Sequence, residues 1–458
     1  MKGKRFLWSH RVAPMSIAAC LAVLTVQPTA TADQQPTFSA GVDLIRVDVQ
    51  VVDGEGFPIP SLRPQDFEVS INGRRRRVFS ADFVQTTTVE GTAPARPVSS
   101  GPIATNLWPT TDVAGTGRTY VLAFDTDSFT ITESRDVVAA ARGFIRRLQP
   151  GDTVGLYTFP VGPRMEPTLE HNLVSQAVDR VVGRSQAVPG DYNLSPSEII
   201  DITAEISRQS SINVGRGNAA VTAGLNAGPG ATSNSSAASM MDTGDGSTLR
   251  RVQLRECGSV NSACAEMVGT EASTKAFYLE GRATEGLNGL RALIGLLNEQ
   301  PGRKTVVLFS AGIPVTDRPG GRPEIGDLAK LVGQDAAATN TSIYTLHIDN
   351  REIRSISADN GRSGVTPMSR SRDIAVGGRL LEEFSGASGG ALMRVMVGGG
   401  EGMLDRVFRE TSSHYLLGVE PDQADRDGKF RVLRVRVGQR GVTVRSRSWV
   451  VVPLRTTS

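Results

Sequence analysis

The spacing of apolar positions changes twice along this chain, and each change marks a different kind of structure. From Leu44 to Val52 apolar and polar residues alternate, the period-two mark of a half-buried strand. Asp53-Gly54-Glu55-Gly56-Phe57-Pro58 predicts a turn, and Phe67 to Ile71 alternates again. Asn72-Gly73 is a strong hairpin turn, and Arg74 to Phe83 returns. This N-terminal β unit, residues 40–85, is too small to bury a good core alone and needs a partner. Residues 86–117, rich in Thr, Pro, Gly and Ala, read as a linker.

From Arg118 the pattern becomes short apolar runs alternating with helical periodicity. Tyr120 to Phe124 is a strand, Glu133 to Leu148 a helix, Thr153 to Phe159 a strand, Met165 to Glu170 an edge strand and Leu173 to Val182 a helix. Ser195 to Arg208 is helical. Gln209 to Gly246 is low in large apolar residues and predicts a disordered insertion. A long helix from about Cys264 carries the stripe Leu287, Leu290, Ile294 and Leu297. Lys304 to Ser310 is a buried strand, followed by a helix at 325–339, a strand at 342–348, a helix at 373–384, a strand at 391–395 and a helix at 402–411. The tail reverts to strands at 414–420, 430–437 and 442–452, separated by Asp/Gly turns. The expected fold is therefore α/β: a doubly wound, mostly parallel sheet over 118–412, flanked by an antiparallel β domain built from residues 40–85 and 413–455. The two β units are expected to pack together, sandwich-like.

Composition narrows the setting. Lys2, Lys4, Arg5 and Arg11 precede an apolar run from Met15 to Val26, and Ala30-Thr31-Ala32 is an A-x-A site, so residues 1–32 read as a secretory signal. Ile17-Ala18-Ala19-Cys20 offers the competing reading of a lipid-anchored lipoprotein, but the apolar run continues past Cys20. The expected location is periplasmic or extracellular. Removing four basic residues from a net charge of +3 leaves −1, so no general field for nucleic acid or an anionic membrane remains. No other stretch is long and apolar enough to span a bilayer. Cys257 and Cys264 lie seven apart in a polar loop. Export favours a local disulfide, with a two-cysteine metal site as the rival, although no His lies nearby. The run Arg74–Arg77 reads as a solvated hairpin arm beside Asp66 and Glu68 rather than a nucleic-acid site.

Candidate chemistry gathers after the first strand of the α/β region, at Asp125, Asp127, Ser128 and Thr130. In parallel sheets ligands sit at the carboxyl ends of the strands. Asp125-x-Asp127 at a strand end resembles the haloacid-dehalogenase-like phosphatases, a resemblance that would make Asp125 the nucleophile, Asp127 the general acid and Ser310 the phosphate-binding hydroxyl. Against it, Phe129 stands where Thr or Val is expected and no acidic pair follows for the metal. Gly386-Ala387-Ser388-Gly389-Gly390 matches the nucleophile elbow in letters, but here the order is helix, turn, strand instead of strand, turn, helix. His171, His347 and His414 are scattered.

The strand ending in Asp125, the insertion, Gly302-Arg303-Lys304-Thr305-Val306-Val307-Leu308-Phe309-Ser310 and the later Gly389-Gly390 strand together resemble a von Willebrand factor type A domain. Asp53 to Pro58, Asp66 to Val69, Asn72-Gly73, the Cys257/Cys264 region, His414 to Gly418 and Asp427 to Arg431 resemble, more closely, a related subgroup known from acidobacteria. The resemblance covers nearly the whole chain after residue 32. It implies the fold and a metal-ion-dependent adhesion site for Mg2+ or Mn2+. The expected function is a non-enzymatic protein-interaction or adhesion-type module binding another protein or a cell-surface polymer, with the phosphatase or a metal-free structural envelope protein as the alternatives. Asp125 matches the first Asp of the adhesion site. Asp127 and Phe129 replace its two Ser, Ala311 before Gly312 replaces a later Asp, and Thr203 or Thr158 stands for its Thr. The site is thus expected in degenerate form on Asp125, Asp127, Ser128 and Thr130, with Ser310 and Gly312 on the partner-binding face.

Overall fold

The computed structural model describes residues 44–85, 117–186, 188, 190–224, 247–349, 367–396 and 400–454. The expected signal, Cys20 and nearly all of the linker lie outside them. Six strands build the inner sheet: β4 (Thr119–Asp125), β5 (Thr153–Phe159), β6 (Arg164–Thr168), β7 (Lys304–Ser310), β8 (Thr341–Asp349) and β9 (Ala391–Met396). Their order is β6-β5-β4-β7-β8-β9, parallel throughout except for the antiparallel edge strand β6. Every residue of β7 is buried, as a parallel strand covered on both faces requires.

Helices supply those covers. Tyr120, Leu122 and Phe124 pack against α1 (Ile131–Ile145), α2 (His171–Val178) and α8 (Gly400–Glu410). Val121 and Ala123 point the other way, onto α5 (Ala263–Leu296), α6 (Leu328–Ala338) and α7 (Pro367–Ala387). On that second side α3 (Pro196–Gly224) and α4 (Thr248–Cys257) add a small satellite core of Ile202, Val252, Val268 and Ala272. The Cys257–Cys264 disulfide ties α4 to the start of α5.

Two expectations change here. The tract expected to be disordered from Gln209 instead continues α3 through Gly224, and 225–246 lies outside the described residues. Ser210 and Ser211 donate to the carbonyls of Ile206 and Ser207, so these polar residues are satisfied within the helix. The pattern also missed α4, whose start is set by Ser247 accepting from Arg250 N and whose end is set by Gly258 at φ +69°.

The outer sheet joins the chain's two ends. Strands β1 (Ile45–Val52), β2 (Phe67–Ile71) and β3 (Arg74–Gln85) interleave with β10 (Ser413–Glu420), β11 (Phe430–Val437), β12 (Thr443–Ser446) and β13 (Trp449–Val451) in the order β12-β1-β10-β3-β2-β11-β13. The two β units therefore do not face each other as a sandwich. They hydrogen-bond into one curled antiparallel sheet around Val47, Val49, Val69, Ile71, Tyr415 and Leu417. Inter-strand hydrogen bonds satisfy both partners' backbone groups at once, which packing two bare edges face to face would not. Gln50 and Tyr344 link the sheets through a 2.8 Å hydrogen bond, and Arg445 of β12 pairs with the buried Glu410 at 2.6 Å. Among the described residues no helix is long and apolar enough to cross a membrane.

Candidate functional site

The sheet order makes β4 and β7 the point where the chain's winding reverses, and a cavity of about 910 Å3 opens beside their carboxyl ends. Asp125 is the last residue of β4 and is 5% exposed. Its carboxylate Oδ2 accepts from the Ser310 hydroxyl at 2.9 Å. Its backbone carbonyl accepts from Ser128 N at 3.0 Å and from Ser128 Oγ at 2.7 Å, closing a tight turn. Burial pushes the Asp125 carboxyl up to about 6. The Ser310 hydrogen bond and the nearby Arg282 charge oppose that rise, and Asp127 adds to it.

The other expected residues separate. Ser128 stays at the site: its hydroxyl also accepts from Ala311 N at 2.9 Å, bridging the ends of β4 and β7. Asp127 lines the cavity and lies 3.9 Å from Arg184. Thr130 is not a site residue. It is the N-cap of α1, accepting from Glu133 N while its own N–H donates to Glu133 Oε2 at 2.6 Å, a capping box. Phe129, where a ligand Ser was expected, is fully buried in the core under α1. Ser310 is fully buried against Asp125 and so is not on an open partner face. Gly312 does line the cavity, at φ +112°. A Cβ there would lie 3.1 Å from His347 Nε2 and 3.3 Å from the Gly377 backbone, so only glycine suits the position. Neither candidate threonine lines the cavity. Thr158 donates to Pro163 O, and Thr203 donates to Ile199 O while accepting from Arg322 N.

These positions decide whether a cation fits. Mg2+ takes about six oxygens in near-octahedral array, several of them from water, with one or two carboxylates from the protein. Thr130, Phe129, Ala311, Thr158 and Thr203 contribute none, which leaves Asp125, Asp127 and a Ser128 hydroxyl already holding two backbone groups. Among the described residues no group of three His, Cys, Asp or Glu is placed to hold a metal ion. Of the ligand set that the resemblance implies, Asp125, Asp127 and Ser128 line the cavity and Thr130 does not.

The cavity's far wall comes from residues the pattern did not flag. The segment after α2 first clamps onto the Asp125 loop: Arg184 N donates to Thr126 O and Ser185 N to Phe129 O. Gly183 permits this approach, since a Cβ there would fall 2.3 Å from Thr130 O. The segment then crosses to α5. Glu271 accepts from Asp191 N at 2.9 Å and Tyr192 N at 3.1 Å, and Lys275 Nζ donates to Tyr192 O at 2.7 Å. Tyr192 OH donates to Cys264 O, and Arg255 donates to Asn193 O while pairing with Glu198. The disulfide junction thus carries the wall. Burial would raise the Glu271 pKa, but Lys275 and the two N–H groups outweigh it and hold the carboxyl below its ordinary value. Arg282, seven residues beyond Lys275 on α5, lines the same cavity. Its guanidinium lies 5.8 Å from the Tyr278 ring centre and makes no hydrogen bond or ion pair among the described residues. The signal for these residues was present. Glu271, Lys275 and Arg282 share one helical face, because offsets of 4, 7 and 11 return to the same side. Asp373 completes the rim, accepting from Ser197 N at 2.8 Å. Ser388 of the elbow-like motif is buried, with its hydroxyl donating to Ser385 O and accepting from Ile343 N.

No family model matches this chain, and no curated protein matches it. Among solved structures it is similar to an aerotolerance-related membrane protein from Bacteroides fragilis NCTC 9343, at 10% identity and a TM-score of 0.27, over 64% of this chain and 98% of that one. It is also similar to the human COPII-coat protein Sec24c, at 7% identity and a TM-score of 0.27, over 74% of this chain and 44% of that one. Scores this low carry no argument about function.

Proposed function

We propose that this chain is an exported von Willebrand A-like interaction module that docks another protein, or a cell-surface polymer, in the cleft at the ends of β4 and β7. It does so without the family's metal ion. The sheet order, the helices on both faces and the placement of Asp125 support the fold reading. The observation that carries the docking reading is the cleft itself, about 910 Å3, lined by the carboxylates of Asp125 and Asp127 and by the Arg282 guanidinium, which makes no hydrogen bond or ion pair among the described residues. In a metal-dependent site the cation bridges to a partner's carboxylate. Here a guanidinium with two parallel donors does that work. The wall hung on Glu271 and Lys275 gives the cleft a fixed shape.

Calorimetric titration of the purified protein with Mg2+, Mn2+ and Ca2+ tests the metal-free part. No binding is expected, and binding that Asp125→Ala abolishes would overturn it. A displayed random-peptide library tests the docking part. Binders selected on the wild type should be lost on Arg282→Ala, whereas binders indifferent to both Arg282→Ala and Asp125→Ala would remove the cleft from the account. Hydrolysis of a generic phosphomonoester with Mg2+, lost in Asp125→Ala, would replace the reading with the phosphatase one.

A further inference from the structure

The outer sheet carries a second, separate feature. The run Arg74–Arg77 does not stay together as a solvated arm. Arg76 turns inward and pairs with Asp425 at 2.6 Å, with side-chain exposures of 7% and 4%. Arg75 and Arg77 turn outward. Register then adds to them from the far end of the chain: Ser70 pairs with Arg75 on one side and Arg434 on the other, and Glu68 pairs with Arg436. Residues paired across antiparallel strands share a face. The inward partners Val69, Leu433 and Val435 belong to the core, so Arg75, Arg77, Arg434 and Arg436 project together from the opposite face, and all four are exposed. With strands about 4.8 Å apart and alternate residues about 7 Å apart, the guanidinium stems form a grid of about 7 by 10 Å. Arg75 meets Glu68 at 3.3 Å, while Arg434 and Arg436 make no ion pair or hydrogen bond among the described residues. The hairpin bearing Arg75 is locked to β11, since Asn72 N donates to Val432 O and Val432 N donates to Asn72 Oδ1.

We infer that this face binds an acidic polysaccharide. Set against the two carboxylates on the same face, Glu68 and Glu420, the latter paired with Arg77, the four guanidiniums leave a net positive surface that a chain of carboxylates or sulfates neutralises at several points at once. Guanidinium forks match such groups in bidentate fashion. Between the arginine columns β2 presents the Glu68 carboxylate and the Ser70 hydroxyl, acceptors suited to sugar hydroxyls. An inorganic polyphosphate has no such donors and would be repelled by Glu68. Beside Arg77, at the bulge where β3 shifts register against Gly418 and Val419, Phe79 is 54% exposed and offers an apolar face to a sugar ring.

The test is retention of the intact protein on dextran sulfate and polygalacturonate, with neutral dextran as the blank and salt varied. Binding to both acidic polymers should fall as salt rises. Arg434→Gln/Arg436→Gln should weaken it at least tenfold. The control Arg135→Gln/Arg208→Gln removes the same charge elsewhere and should change it less than twofold. Peptides selected on the cleft should bind Arg434→Gln/Arg436→Gln as they bind the wild type, so failure of the cleft reading and failure of this one are separable. Arg434→Lys/Arg436→Lys keeps the charge without the fork and covers the case of a misfolded Gln variant, with binding reduced at least threefold. Equal losses in the patch and control variants would overturn the proposal. So would absence of binding by the wild type at low salt, or tighter binding to a single-stranded polynucleotide or to phosphatidylglycerol vesicles than to either polysaccharide.

Discussion

The two sheets handle polar chemistry in opposite ways. In the inner sheet β7 is buried on both faces, so no residue within the strand is open to a ligand, and chemistry appears only where β4 and β7 end. In the outer sheet β2 and β11 alternate. One face closes on Val69, Ile71 and Leu433, and the other lies open to solvent with Arg434 and Arg436. A doubly covered parallel sheet presents function at an edge of space, in a concave cleft. A singly covered antiparallel sheet presents it across a flat surface. Their charges follow suit: Asp125 is buried and held by Ser310, whereas the outer arginines are exposed.

That contrast can be broken first in the cores. Phe124 and Phe309 stack at 4.8 Å inside the inner sheet, fully buried. Phe124→Ala should cost about 3–5 kcal/mol in urea unfolding, whereas Val435→Ala, half-buried in the outer sheet, should cost roughly 1 kcal/mol. Equal losses would mean that the outer sheet is as tightly packed as the inner one.

Next in size is the buried pair Arg76–Asp425. Removing one partner leaves an unpaired buried charge, so Arg76→Met should destabilise by about 3 kcal/mol. Burial alone would raise the Asp425 pKa, but the Arg76 hydrogen bond outweighs it and holds the carboxyl below its ordinary value. The folded state therefore binds this proton less tightly than the unfolded chain. The pair's stabilisation is present above a pH of about 4 and lost as pH falls through the lowered value. Melting temperatures of wild type and Asp425→Asn should converge as pH drops below about 4, and a gap that stays constant would show that the pair does not titrate with folding.

The disulfide sharpens the comparison at the cleft. It closes a short loop, so Cys257→Ser/Cys264→Ser should lose about 2–3 kcal/mol. The larger consequence is local. Hydrogen exchange should quicken at Tyr192 and Asn193, which hang on Cys264 and Arg255, and should stay unchanged in β11. The smallest effect belongs to the open face. Arg434→Gln/Arg436→Gln should shift stability by less than about 0.5 kcal/mol, so a large shift would mean that those arginines hold the sheet together.

Several features of the fold were legible in the residues. The alternation at 44–52 and 67–71, the Asn72-Gly73 turn and the apolar run at 304–310 each reflect local burial, and local burial leaves a period in the sequence. Asp125 was legible because a carboxylate closing an apolar strand is conspicuous. Thr130 misled because the same hydroxyl suits a cation or a helix N-terminus, and Glu133 three residues on decided for the cap. Ser310 misled because a strand-end hydroxyl reads as exposed until its acceptor, Asp125, is seen 2.9 Å away.

The sequence by itself determined the strands, most helices and the loop at Asp125, since these depend on neighbours within a few residues. Tertiary structure alone decided that Arg282, Lys275 and Tyr192 face Asp125 across one cleft. It alone set Arg434 beside Arg75, with Ser70 between them. Those pairings span long stretches of chain, and no local spacing encodes them. They follow from which strand edges hydrogen-bond and which helix faces bury, a choice made by the whole molecule at once.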